Sequence, residues 1–153
     1  MIVRNERQAL CVAVEMERRA IRVYERALML TADEEVLRGV REILQDEQEH
    51  LRCFSSMKCC CQAEPEEERM LIQAMGAEVL FPGGVMELER ARGLSTLKGL
   101  YEFAADSEFD AMQKYAEFAQ RCEAKNVKEA FMSIAREEAS HYAELRRRLA
   151  EID

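Results

Sequence analysis

The chain has 153 residues, of which 48% are hydrophobic and 34% are charged, and its formal net charge is −8. This length suits a single domain over residues 1–153 with room for a helical core. The negative charge argues against nucleic acid or an anionic membrane surface as the main partner. No segment has the apolar length of a membrane span or the pattern of a secretory leader, so we expect a cytoplasmic protein.

Two prolines and six glycines favour long helices joined by short turns. The first helix is predicted at about residues 5–30, starting near Asn5, and the second at about 33–58. Thr31 with Glu34 three residues later, beside Asp33, is typical of a helix start. These two helices are therefore expected to form one antiparallel hairpin.

A longer connection follows the second helix. Pro65 opens a short predicted helix at about 66–79, which ends at the break formed by residues 81–84. Residues 85–94 are ambiguous and leave room for another turn or two of helix. About 36 residues separate the second and third long helices, enough to return along the length of a bundle.

The third and fourth long helices are predicted at about residues 95–122 and 126–150. Ser95 or Thr96 is expected to cap the third helix, and Asn126 with Glu129 to form a capping box for the fourth. Two hairpins joined by a long crossover predict an all-α, ferritin-like four-helix bundle.

Polar side chains interrupt the apolar seams of the predicted bundle. In the first helix, inward positions recur at steps of four and three from Leu10 to Leu28, and the other three long helices keep the same step. Six ionisable residues fall on these otherwise mostly apolar seams: Glu17, Glu47, His50, Glu108, Glu138 and His141. An unpaired buried carboxylate costs several kcal/mol, so a positive partner is expected among them.

The same six residues form an internal repeat. Glu17, Tyr24, Glu47 and His50 recur 91 residues later as Glu108, Tyr115, Glu138 and His141, and each half ends in a Glu-x-x-His. Glu17 and Glu47 are also equidistant from the first predicted turn, as Glu108 and Glu138 are from the second. At about 1.5 Å per residue the paired glutamates should therefore lie level in the bundle.

Four carboxylates and two histidines suit two metal ions that share one site. Mixed carboxylate and imidazole ligands favour iron, with manganese or zinc also compatible, over calcium or magnesium. Two other interpretations remain open at this point. The site could store or buffer metal without turnover, or the polar layer could only fix the register of the bundle.

Other residues near the seams have two interpretations each. Tyr24 and Tyr115 are either core aromatics with satisfied hydroxyls or hydrogen-bond donors to the ligands. Asp46 and Glu137 either hydrogen-bond a ligand imidazole or lie on a solvated helix face.

The six cysteines contain no Cys-x-x-Cys pair, which excludes the usual spacing of a rubredoxin or zinc-ribbon site. Cys11 and Cys122 are predicted to be small core residues. The run Cys59, Cys60 and Cys61 is expected to lie in a loop without a chemical role, with an exposed, oxidisable cluster as the alternative.

From about residue 5 to 150 the chain resembles the rubrerythrin and ferritin-like di-iron carboxylate superfamily. The resemblance rests on Glu17, the Asp46-Glu47-Gln48-Glu49-His50 run, Glu108, and the Glu137-Glu138-Ala139-Ser140-His141 run. It implies that Glu47 and Glu138 bridge two metal ions, that Glu17 and Glu108 are terminal ligands, and that each histidine completes one ion's shell. Rubrerythrins have a further glutamate where this chain has Ala111, and they usually carry a rubredoxin domain that is missing here.

The resemblance implies a di-iron oxidoreductase that oxidises Fe(II) or reduces peroxide or O₂, with those six residues as both metal ligands and catalytic residues. Its expected cofactor is two iron ions. A separate electron donor would be needed for turnover. A homodimer is expected, and the absence of a fifth bundle helix after residue 150 weighs against a ferritin cage.

Overall fold

The structure, a computed structural model, describes residues 3–58, 64–80 and 96–152. In these ranges it contains five helices and no strand: α1 (Glu6–Leu28), α2 (Glu34–Lys58), α3 (Pro65–Leu80), α4 (Leu97–Ala119) and α5 (Lys125–Glu151). The predicted break at 81–84, the segment 85–94, Ser95 and the cysteine run at 59–61 lie outside the described residues.

The four long helices form two hairpins. Helix α1 packs along α2 and α4 packs along α5, while α1 also contacts α4 and α2 contacts α5. The crossover helix α3 packs against α1. The ferritin-like bundle predicted from the sequence is therefore confirmed.

Side-chain caps fix where three of the long helices begin. Asn5 accepts a hydrogen bond from the Gln8 N–H at 2.9 Å, and Thr96 accepts one from the Gly99 N–H at 3.1 Å. At the start of α2, Asp33 accepts from the backbone of Glu35 at 2.9 Å and Val36 at 3.2 Å. Each bond satisfies a backbone donor that the helix itself leaves unpaired.

The predicted capping box at Asn126 is wrong. Helix α5 begins at Lys125, and its N-cap residue Ala124 makes no side-chain cap hydrogen bond. Instead the Ala124 N–H donates to Glu6 Oε1 at 3.0 Å. A carboxylate from the start of α1 thus replaces the local cap and ties the two hairpins together.

Helix α1 is buried on all sides over residues 9–14. Residues 9–14 are each no more than 2% exposed, because α3 covers the outer face, and Leu71 and Met75 of α3 belong to the same core cluster. Cys11 and Cys122 are buried in this cluster, as predicted. Beyond Glu15 the outer face of α1 is open to solvent.

Two apolar clusters enclose the middle of the bundle. One contains Phe54, Tyr115 and Phe131, and the other contains Tyr24 and Val40. Glu47 lies seven residues after Val40 and seven before Phe54, so its layer is about 10 Å from each along α2. None of the described helices carries an apolar stretch of the length needed to cross a bilayer.

Candidate metal centre

The six seam residues meet in one buried layer. Each is at most 7% exposed, although all are ionisable: Glu17, Glu47, His50, Glu108, Glu138 and His141. Ionisable side chains are almost never this buried unless they are paired. The four long helices bring these side chains together, with one glutamate on each helix and one histidine on each of α2 and α5.

The layer divides into two sets of four residues whose ligand atoms lie within 4.8 Å of one another. Glu17 and His50 belong to the first set only, whereas Glu108 and His141 belong to the second only. Glu47 and Glu138 belong to both. The arrangement is compatible with two adjacent ions that share two carboxylates.

Both histidines turn Nδ1 toward the carboxylates. His50 Nδ1 lies 2.8 Å from Glu138, 3.5 Å from Glu47 and 3.8 Å from Glu17. His141 Nδ1 lies 3.1 Å from Glu47 and 3.7 Å from Glu108.

The outer nitrogen of each histidine contacts a carboxylate from the other hairpin. His50 Nε2 bonds to Glu137, and His141 Nε2 lies 2.9 Å from Asp46 Oδ2. Both carboxylate side chains are also more than half exposed. Asp46 and Glu137 therefore contact a histidine, as one interpretation predicted, and lie on a solvated helix face, as the other predicted. In a neutral imidazole, donation of the Nε2 hydrogen leaves the Nδ1 lone pair facing the layer, the state that a metal requires.

The buried tyrosines hydrogen-bond across the hairpins as well. Tyr115 donates its hydroxyl to Glu17 Oε1 at 2.7 Å, and Tyr24 donates to Glu108 Oε1. Both rings are core aromatics, at most 1% exposed. Each therefore holds one oxygen of a carboxylate and leaves the other oxygen available.

Several buried polar atoms of the layer have no hydrogen-bond partner within the described part of the chain. Among the described residues, seven buried side-chain polar atoms have no hydrogen-bond partner, and six of them belong to this layer. They include the Nδ1 atoms of both histidines and one oxygen on each of the four glutamates. Buried polar groups without partners are rare and costly. Carboxylate oxygens and imidazole nitrogens are a donor set that fits iron, manganese or zinc.

The pKa values of the glutamates also indicate that a cation belongs among them. Desolvation and the charge of Glu108 raise the pKa of Glu47 to about 7. Burial likewise holds the pKa values of Glu17 and Glu138 well above their usual range. Four carboxylates this close cannot all ionise without a cation among them.

One ion pair forms inside the layer. Burial opposes the charge of His141, but the carboxylates of Glu108 and Glu47 close to its Nδ1 raise its pKa to about 11. Burial also acts to raise the pKa of Glu108, but the neighbouring Glu138 and His141 outweigh it and hold that pKa below its usual value. Protons on the carboxylates and the His141 imidazolium thus offset part of the negative charge that bound metal ions would otherwise neutralise.

The comparison with known families agrees with this geometry. A family model for the ferritin-like domain matches residues 5–151. No curated protein and no solved structure matches the chain. The family match spans all four long helices together with the crossover, and we conclude that the chain belongs to the ferritin-like domain family.

Proposed function

We propose that the protein is a di-iron oxidoreductase of the rubrerythrin or ferritin-like type, which oxidises Fe(II) or reduces peroxide or O₂. The observation that carries the proposal is the division of six buried donors into two sets that share two glutamates. Two adjacent redox-active ions can supply two electrons together to one small oxidant. The cytoplasmic location and the separate electron donor expected from the sequence remain part of the proposal.

In this proposal each residue has a defined task. Glu17 and His50 would hold one ion, Glu108 and His141 would hold the other, and Glu47 and Glu138 would be shared between them: these six form the proposed ligand set. The apolar clusters on both sides exclude bulk water, which strengthens every electrostatic interaction in the layer. Only a small oxidant, reductant or metal ion suits so enclosed a site.

The tyrosines and outer carboxylates support the ligands. The hydroxyls of Tyr24 and Tyr115 fix the orientation of Glu108 and Glu17 through hydrogen bonds. Asp46 and Glu137 fix the ring and tautomer of the two histidines. The support for each half comes from the opposite hairpin, so closing the bundle completes the site.

The alternative function is iron binding or buffering without turnover. The same layer would hold the ions, but no reductant would return them to the ferrous state. The enclosed site, which small species alone can reach, is compatible with both functions.

Activity separates these two functions. Protein purified without oxygen and loaded with Fe(II) should consume peroxide catalytically when a chemical reductant such as dithionite-reduced methyl viologen is supplied. Glu42→Gln on the exposed face of α2 is a matched control, since it removes a carboxylate from the same helix outside the layer. Consumption that stops after one turnover, with both reductant and Fe(II) in excess, would leave only the buffering function.

The outer carboxylates should matter less than the bridging ones. We expect Asp46→Asn and Glu137→Gln to weaken metal affinity about tenfold to a hundredfold, the usual effect of removing a hydrogen-bond partner of a ligand histidine. Replacing Glu47 or Glu138 should do more, because each belongs to both sets. Titration with a competing chelator measures the difference, and equal losses in the two pairs would contradict the assigned roles.

A further inference from the structure

Equivalent outer positions on α1 and α4, which the 91-residue repeat relates, present opposite charges to solvent. On α1, six positions of the outer face carry four arginines and two glutamates, a net charge of +2: Glu15, Arg18, Arg19, Arg22, Glu25 and Arg26. The positions 91 residues later on α4 carry three carboxylates and no base, a net charge of −3: Asp106, Phe109, Asp110, Gln113, Ala116 and Glu117. We name these the α1 strip and the α4 strip.

The α1 strip is a row of guanidinium groups. Arg18, Arg22 and Arg26 are spaced by four residues and are all exposed. Glu15 balances part of the charge, since it contacts Arg19 at 3.1 Å and Arg22 at 3.7 Å. The row stands out because the whole chain is acidic.

The α4 strip has the chemistry of a guanidinium receptor. Phe109 is 40% exposed, which is high for a large apolar side chain, and its ring centroid lies 5.4 Å from that of Tyr142. Asp106 lies three residues before Phe109 and four before Asp110, and both spacings place side chains as neighbours on one helix face. Asp110 also pairs with Lys114 at 2.9 Å. An arginine can stack on the phenyl ring while it pairs with a flanking carboxylate.

We propose that the α1 strip of one copy of this chain binds the α4 strip of a second copy. The charges are complementary, and the exposed Phe109 gains a cation to cover it. Helices α1 and α4 are neighbours in the bundle, so a two-fold axis would let both copies make the same contact reciprocally and close the pair as a dimer. The net charge of −8 opposes association, which makes the arginine row the attractive element.

Charge reversal tests the contact by sedimentation velocity at about 0.1 mM protein, above the Kd of a weak dimer. The wild type should sediment as a dimer. Arg18→Glu with Arg22→Glu should be monomeric, with an affinity at least about a hundredfold lower, and so should Asp106→Arg with Asp110→Arg. Mixing these two monomeric variants should restore a dimer, because each strip then faces its opposite charge again.

A matched variant controls for total charge. Arg38→Glu with Arg41→Glu reverses two exposed arginines on α2 and should leave the dimer intact. Circular dichroism would verify that every variant is folded. A monomeric wild type would overturn the proposal, as would a dimer that survives reversal of either strip or a mixture that stays monomeric.

Discussion

Removal of the metal ions should lower the melting temperature by about 10 °C or more at neutral pH and should reverse the pH dependence of stability. Without cations, the layer keeps four carboxylates and two imidazoles in the core, and an uncompensated buried charge costs about 3 to 5 kcal/mol. In a domain of this size each kcal/mol corresponds to about 2 to 4 °C. Bound ions remove this cost and stabilise only the folded state, so the metal-loaded protein should be the more stable form.

The sign of the pH effect follows from Glu47 and His141. The folded pKa of Glu47 is raised to about 7 from 4.5, so its stabilising contribution is full below about 4.5 and is lost as pH rises through 7. His141, raised from 6.5 to about 11, has the same sign: its contribution is full below 6.5 and is lost as pH rises toward 11. The lowered pKa of Glu108 acts oppositely, but only as pH falls below its usual value.

We therefore expect the metal-free protein to gain stability as pH falls from about 7 to 4.5. The metal-loaded protein should lose stability over the same range, because protons compete with the ions for their ligands. Thermal melts of both forms across this range should converge on acidification. If the metal-free and metal-loaded forms had the same melting temperature at neutral pH, the result would favour a polar layer that only fixes the register of the bundle.

Loss of one bridging carboxylate should remove both ions rather than one. Glu47→Gln keeps the shape of the side chain but removes its charge, and Glu47 belongs to both ligand sets. Glu17→Gln changes only the first set and should preferentially lower the affinity for one ion. Elemental analysis after reconstitution should find close to no metal in the first variant and an intermediate content in the second.

The exposed Glu42→Gln again serves as the control and should retain the full metal content. A Glu47→Gln protein that holds as much metal as Glu17→Gln would show that Glu47 is not shared between the ions.

The layer could be predicted from the sequence because its signal is periodic. Three features constrain Glu17 and Glu108 independently: their position on the seam, the 91-residue repeat and the distances from the turns. Helix geometry converts those spacings into positions along the bundle axis. The tyrosines could be placed on the seam for the same reason. Their partners could not be predicted, because periodicity within a helix does not reveal which hairpin supplies the opposite carboxylate.

Contacts between helices were likewise beyond the sequence. The Glu6 carboxylate that receives the Ala124 N–H lies 118 residues away in the chain, so the local motif at Asn126 was the only visible signal. Gly39 carries no motif either, yet a Cβ at that position would overlap the guanidinium of Arg148. Such contacts depend on how the hairpins pack, which local patterns do not specify.

The number of ions bound per chain tests the central claim most directly. Protein should be stripped of metal, reconstituted with Fe(II) under anaerobic conditions, passed through a desalting column and analysed for iron against protein concentration. The two sets of ligands, which have Glu47 and Glu138 in common, predict two ions per chain. A content below about one ion per chain after this treatment would contradict a dinuclear centre in this ferritin-like bundle.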